Sequence, residues 1–265
     1  MKIITFADIH YFSGNIENAI FNTKKKLVAY ALPMLDKLTE KINLQHEVDV
    51  AINLGDLIQD TTERNEDLKA LEFMFERLKR IKCPCYSVLG NHDLKMMNSV
   101  KEVEEIMGYE STYSFDKDGY HLVFLTTEVR SELGTERGGC YKAQYLSDGA
   151  LRWLDTDLKQ NALPCVIFTH YTLAEDATVT DECMFMKNRT EVKKILVASG
   201  NVKAVFSGHL HKTKVLEEDG IKYYVLGSMT ACTKLEETPD GVYFEIDLDE
   251  NGISVTEKHI SKEEL

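Results

Sequence analysis

Short apolar runs that break off at a glycine, an aspartate, an asparagine or a histidine recur along this chain, and they constrain its fold more than any other feature. "KIITFA" stops at Asp8, "VDVAINL" at Gly55-Asp56, "CYSVL" at Gly90-Asn91-His92-Asp93, "CVIFT" at His170 and "VKAVFS" at Gly208-His209. Runs of this length, rich in β-branched residues and bounded by turn formers, read as buried strands. Helical patterns lie between them. In residues 65–82, Leu68, Leu71, Phe75 and Leu78 recur at helical spacing. Strand and helix in alternation predict an α/β fold.

The remaining elements follow from local signals. A long helical stretch over about residues 16–42 is expected to break near Pro33. Further helices are predicted over 99–107, closed by Gly108, over 148–160 with Ser147 as N-cap, and over 189–199, closed by Gly200. Asp118-Gly119 predicts a hairpin in "YSFDKDGYHLVFLTT", and the C-terminal part carries two more Asp-Gly or Asn-Gly hairpin signals. No internal repeat, low-complexity tract or Ser/Pro-rich linker divides residues 1–265, which are expected to form a single domain.

Ligands of open α/β sheets bind beyond the carboxyl ends of the strands, which is where the polar residues gather here. On an extended chain, positions i and i+2 face the same way, so His209 and His211 send two imidazoles in one direction. Asp8, His10, Asp56, Asn91, His170, His209 and His211 make seven oxygen and nitrogen donors with no thiolate. That donor set suits Mn, Fe, Zn or Co. Seven donors exceed the needs of one ion. Two ions sharing one carboxylate would have four protein ligands each, and such a pair clamps the attacking and leaving oxygens of an in-line displacement.

Charge excludes several partners. With 31 basic against 44 acidic residues the net charge is −13, which disfavours nucleic acid and anionic membrane surfaces. A small phosphorylated substrate stays compatible, because bound cations invert the local field. The opening "MKIITFADIH" is too short and too polar for a signal peptide, and no stretch approaches a membrane span. Six scattered cysteines without zinc or thioredoxin spacing predict a reducing, cytoplasmic setting.

Taken in order, "DIH", "LGDLIQD", "LGNHD", "FTH" and "SGHLH" resemble the motif set of the calcineurin-like metallophosphoesterases, over Asp8 to His211. The resemblance implies a four-layer α/β/β/α sandwich, with two mixed β-sheets face to face and helices outside. It also implies two divalent or trivalent metal ions. Asp8, His10, Asp56 and His211 would hold one and Asp56, Asn91, His170 and His209 the other, with a metal-bridging hydroxide as nucleophile. By the same similarity His92 is the general acid. Members often support this histidine with an Asp three residues after the shared Asp. Here position 59 is Gln and the acid is Asp60, so Asp60 is the candidate while the orienting partner stays open.

Other charged groups have plainer readings. Asp93 is expected to be a structural hydrogen-bonding carboxylate, His121 a cross-strand residue and Trp153 part of a helix face on the core. Arg137 and Arg189 are the candidates for binding substrate phosphate. Small phosphodiesters or nucleotide pyrophosphates are the favoured substrates, because "YLSDGALRWL" and the C-terminal hairpins look similar to phosphodiesterase-type members. The alternatives are a phosphomonoesterase or phosphoprotein phosphatase, and a non-catalytic scaffold on the same fold. The scaffold reading is weakened because every ligand position is filled.

Overall fold

Each apolar run is a strand. In chain order the strands are β1 Lys2–Phe6, β2 Val50–Asn53, β3 Cys85–Ser87, β4 Tyr113–Lys117, β5 Tyr120–Leu125, β6 Cys165–Thr169, β7 Val202–Ser207, β8 Lys214–Glu218, β9 Ile221–Val225, β10 Val242–Asp249 and β11 Gly252–His259. The helices are α1 Ala31–Leu44, α2 Arg64–Leu78, α3 Asn91–Leu94, α4 Lys101–Met107, α5 Asp148–Gln160 and α6 Arg189–Ser199. This computed structural model describes residues 1–14, 27–61, 63–129, 144–179, 181–231 and 239–265.

Two mixed sheets result. One runs β11-β10-β1-β2-β3 and the other β4-β5-β6-β7-β9-β8. Strands β1, β2 and β3 are parallel, as are β5, β6, β7 and β9; the hairpin partners β4, β8, β10 and β11 are antiparallel. The alternation of side chains across each strand then builds three apolar layers. Ile3, Ile52, Phe124, Phe168, Phe206 and Phe244 fill the space between the sheets. Leu35, Leu38, Leu71, Met74 and Val103 seat α1, α2 and α4 on the outside of the first sheet. Leu154, Leu158, Val192 and Leu196 seat α5 and α6 outside the second. This is the expected four-layer sandwich.

A row of aromatic rings crosses the inner face of the second sheet. Tyr113, Phe124, Phe168, Phe206 and Tyr224 stack in series with centroids 4.7, 5.2, 5.6 and 4.8 Å apart. Those spacings follow the distance between neighbouring strands, roughly 4.7–4.9 Å.

Helix boundaries follow their caps. Ser147 Oγ accepts from Ala150 N at 3.1 Å and opens α5, and Gly108 and Gly200 close α4 and α6 in the left-handed conformation. The expectation of one long helix broken at Pro33 is corrected. Helix α1 begins at Ala31, after a turn of 3-10 helix at Val28–Tyr30, so Pro33 sits in its first turn, where the missing N–H costs no hydrogen bond. Residues 15–26 of that stretch lie outside the described residues. Cys165 is buried and Cys83 and Cys85 are half-buried, all three as free thiols; Cys140, Cys232 and the Cys183 side chain lie outside the described part. Among the described residues no helix is long and apolar enough to cross a membrane.

Candidate metal centre

The parallel strands of both sheets end on one side of the sandwich, and the polar residues that follow them meet there. Asp8 and His10 leave β1, Asp56 leaves β2 and Asn91 leaves β3; His170 leaves β6, and His209 and His211 leave β7. Two groups form. Ligand atoms of Asp8, His10, Asp56 and His211 lie within 4.8 Å of one another, and so do those of Asp56, His170 and His209. Asp56 belongs to both.

The exits are bent by unusual backbone. Asp8, His10, Asp56, His209 and His211 all have positive φ, between 51° and 71°. Left-handed backbone is disfavoured for residues with a Cβ and persists where surrounding contacts over-determine it. Backbone bonds do so here: Asp8 N donates to Gly55 O and His10 N to Asp56 O, both at 3.0 Å. A Cβ on Gly90 would stand 2.2 Å from Asp56 Oδ1, and one on Gly55 2.6 Å from Gly90 N. Only glycine lets these two turns approach so closely.

The donor atoms are spaced as corners around a common centre. His10 Nε2 and His211 Nε2 are 3.0 Å apart, and His211 Nε2 is 3.3 Å from Asp8 Oδ1. His170 Nε2 lies 3.2 Å from Asn91 Oδ1, 3.2 Å from His209 Nδ1 and 3.4 Å from Asp56 Oδ2. Such edges suit ions bound at roughly 2.0–2.2 Å. Asp8 Oδ1 is buried and accepts no hydrogen bond among the described residues, which fits a carboxylate made for a cation. His170 Nδ1 donates to Leu54 O at 2.8 Å, which leaves Nε2 to face the cluster. Burial raises the Asp56 carboxyl, yet the imidazoles of His170, His92 and His10 outweigh it and hold the group well below the usual carboxylate range. Burial lowers His170, but the Asp56 charge and contact raise it further, to about 9.

One side of the cluster is open. Asp8, His10, Asp56 and His170 are buried, whereas the side chains of His211 and His92 are 22% and 16% exposed. His92 N donates to Asp56 Oδ1 at 2.9 Å, fixing the backbone beside the shared carboxylate, and His92 Nε2 lies 3.9 Å from Asp56 Oδ2. Asp60 Oδ1 takes His92 Nδ1, Gln59 Nε2 stands 3.1 Å from the same nitrogen, and Lys95 Nζ holds Asp60 Oδ2 at 2.7 Å. Burial raises Asp60, and His92 and Lys95 bring it below its ordinary value. Asp60 therefore reaches His92 although Gln59 occupies the position where members often carry the acid.

The other residues singled out from sequence lie elsewhere. Asp93 is buried and accepts from Gly90 N at 2.9 Å, Leu57 N at 2.9 Å and Ile58 N at 3.1 Å, tying the two glycine turns together. Burial, then the Asp56 charge, push it up to about 7. Arg189 pairs with Glu175 at 2.8 Å and Glu182 at 3.2 Å and lies over the Phe185 ring, all outside the Asp/His groups. To take a phosphate it would have to exchange these carboxylates. Arg137 lies outside the described residues. His121 sits between Asp116 at 2.6 Å and Asp157 at 2.8 Å, and Trp153 is half-buried at the edge of the α5 layer.

Three supports escaped the sequence reading. Ser228 Oγ and Thr230 Oγ1 both donate to Asp8 O, at 2.9 and 3.2 Å, and the Tyr171 ring lies 4.4 Å from that of His209. The rule that flagged five strand ends, applied to "YYVL", points to "GSMT" as well. A fourth, Lys95, could have been found as the residue one helical turn after His92.

Known proteins similar to this chain carry phosphoesterase or phosphatase names. A family model described as calcineurin-like phosphoesterase matches residues 1–213. Among curated proteins, the chain is 25% identical to the 3',5'-cyclic adenosine monophosphate phosphodiesterase CpdA of Haemophilus influenzae, over 98% of this chain and 86% of that one. It is 23% identical to a probable cyclic nucleotide phosphodiesterase of Xenorhabdus bovienii, over 88% of this chain and 84% of that one. Among solved structures, a dimetal phosphatase from Danio rerio has a TM-score of 0.75 at 17% identity, covering 97% of this chain and 96% of that one. The conclusion follows from motifs, fold and donor set together: the chain belongs to the calcineurin-like phosphoesterase family and is a metal-dependent phosphoric ester hydrolase.

Proposed function

We propose that residues 1–265 act as one phosphoesterase unit that opens 3',5'-cyclic nucleotides or hydrolyses closely related small phosphodiesters. The observation that carries this reading is the pair of Asp/His groups meeting at Asp56, with His92 on their open side. The relatives named cyclic nucleotide phosphodiesterases support the substrate class, and the acidic balance of the chain weighs against a nuclease.

Asp8, His10, Asp56 and His211 would hold one ion, and Asp56, Asn91, His170 and His209 the other. Bound ions supply positive charge to the phosphoryl oxygens and lower the pKa of water. The chain supplies the rest. Its buried carboxylates and imidazoles exclude bulk water and keep the donors in register. His92 donates a proton from Nε2 to the leaving oxygen as the P–O bond breaks. Asp60, buttressed by Lys95, holds Nδ1 and stabilises the imidazolium before transfer. The free thiols among the described residues support work in the reducing cytoplasm.

A panel with added manganese tests the reading. It compares cyclic AMP, cyclic GMP, bis(p-nitrophenyl) phosphate, ADP-ribose, p-nitrophenyl phosphate and a phosphopeptide. The highest kcat/KM is expected on the cyclic nucleotides, with a nucleoside monophosphate as product. A preference for p-nitrophenyl phosphate or the phosphopeptide, with the cyclic nucleotides untouched, would replace it with a phosphomonoesterase or phosphoprotein phosphatase.

A further inference from the structure

A buried carboxylate outside the Asp/His groups stands near Asp60 and Lys95. Asp67 lies in the first turn of α2 and is 1% exposed. Its Oδ1 accepts from Thr61 N at 2.8 Å and from Thr61 Oγ1 at 2.7 Å, while Oδ2 is buried with no hydrogen-bond partner among the described residues. A buried polar atom without a partner costs stability. Glu66, exposed in the same turn, already meets the helix dipole. Neither packing nor the helix start therefore calls for an acid at position 67.

Asp67 holds the far end of the turn that carries Asp60. After β2 the backbone is pinned at three successive residues: Leu57 N and Ile58 N donate to Asp93, and Gln59 N donates to Tyr11 O at 2.8 Å. The pair of bonds from Thr61 to Asp67 is a second anchor. Asp60 sits between the two anchors, with its carboxylate on His92 Nδ1 and Lys95. His92 belongs to α3, so the Asp60–His92 contact spans two elements and holds only while the turn keeps its place against that helix. Hydrogen bonds weaken steeply when bent below about 120°, and a misplacement of about 1 Å at a catalytic group can cost about 10²-fold. Burial raises the Asp67 carboxyl above its ordinary value, the Thr61 bonds oppose the rise and the Asp60 charge adds to it. A group so placed acts through the bonds it accepts, which an amide oxygen could accept as well.

We propose that Asp67 is a positioning residue for the general acid: by clamping Thr61 it keeps the Asp60 carboxylate on His92 Nδ1, and with it the Nε2 proton aimed at the leaving oxygen. The proposal rests on the reading of His92 as that acid.

Hydrolysis of methyl aryl phosphates, with leaving phenols from p-nitrophenol to p-cresol, tests this on the manganese-loaded protein, with His92→Ala as reference. Aryl phosphates take their place if the protein prefers monoesters. Asp67→Ala should keep its metal content, and its KM within twofold. Its kcat should fall at least tenfold on the p-cresol ester and less than threefold on the p-nitrophenyl ester. The rate then depends more steeply on leaving-group basicity, as it should in His92→Ala. Asp67→Asn, whose amide oxygen can accept both Thr61 bonds, should restore the parent slope. Thr61→Val, which removes the Oγ1 bond alone, should steepen the slope to a lesser degree, and it decides the matter if Asp67→Ala does not fold. Introduced into His92→Ala, Asp67→Ala should bring no further loss. Equal losses on all esters, or a parent slope in Asp67→Ala and Thr61→Val, would overturn the proposal while leaving the acid role of His92 in place. A parent slope in His92→Ala would overturn that role and this proposal with it.

Discussion

Asp56 faces both groups of donors, and its Oδ1 also takes the His92 amide. Changing it to Asn removes the charge that both proposed ions share, so Asp56→Asn should lower the metal content of both, measured by mass spectrometry on purified protein. His10→Ala should deplete mainly one. Two tightly held ions in Asp56→Asn would refute the bridging assignment. His92 predicts a dependence on the leaving group. General acids contribute about 10²–10⁴-fold, and the benefit grows as the departing oxygen becomes more basic. His92→Ala should therefore keep its metal and lose that factor on alkyl leaving groups such as the ribose oxygen of a cyclic nucleotide, and much less on p-nitrophenyl esters. Equal losses on both would make His92 a phosphoryl-binding residue. His170 gives the pH dependence. Without metal its imidazole is held up at about 9, chiefly by Asp56 acting against burial. An ion needs neutral Nε2, so below that pH binding displaces a proton. Apparent metal affinity should rise about tenfold per pH unit towards about 9 and then level; a flat profile in metal-buffered titrations would contradict this.

The turns that carry these residues are as exacting as the residues themselves. Gly90 has ordinary backbone angles, so its requirement is space alone: a Cβ would meet Asp56 Oδ1 at 2.2 Å and Asp56 N at 2.4 Å. Gly90→Ala should displace the shared carboxylate and abolish metal-dependent hydrolysis. Ser147→Ala at the start of α5 should instead cost about 1 kcal/mol of stability, read from the thermal midpoint, and leave hydrolysis unchanged. Equal effects of the two on activity would contradict the close-approach argument. Strands, hairpins and the caps of α4, α5 and α6 were legible because apolar runs, Asp-Gly pairs and cap residues act locally. The start of α1 was not: a proline reads as a break mid-helix and as a normal first-turn residue once Ala31 begins the helix. Nor did the sequence show that Asp60 reaches His92 past Gln59, since that depends on how the Asp56–Asp60 turn packs against α3.

All seven donor positions were readable from strand ends, but their convergence is a property of the sandwich. Asp8, His10, Asp56 and Asn91 come from the first sheet; His170, His209 and His211 come from the second. The apolar layer and its row of stacked rings hold the two sheets together, and the parallel strands β1–β3 and β6–β7 all end on one side. The centre therefore joins the sheets at their common end, which no single motif reveals. The most direct test is a metal titration of chelated protein, following hydrolysis of cyclic AMP against bound ions per chain. Activity should vanish on exhaustive chelation and return with manganese, cobalt or iron, reaching its plateau at two ions per chain. Full hydrolysis by metal-free protein, or a plateau at one ion, would contradict the shared two-ion centre.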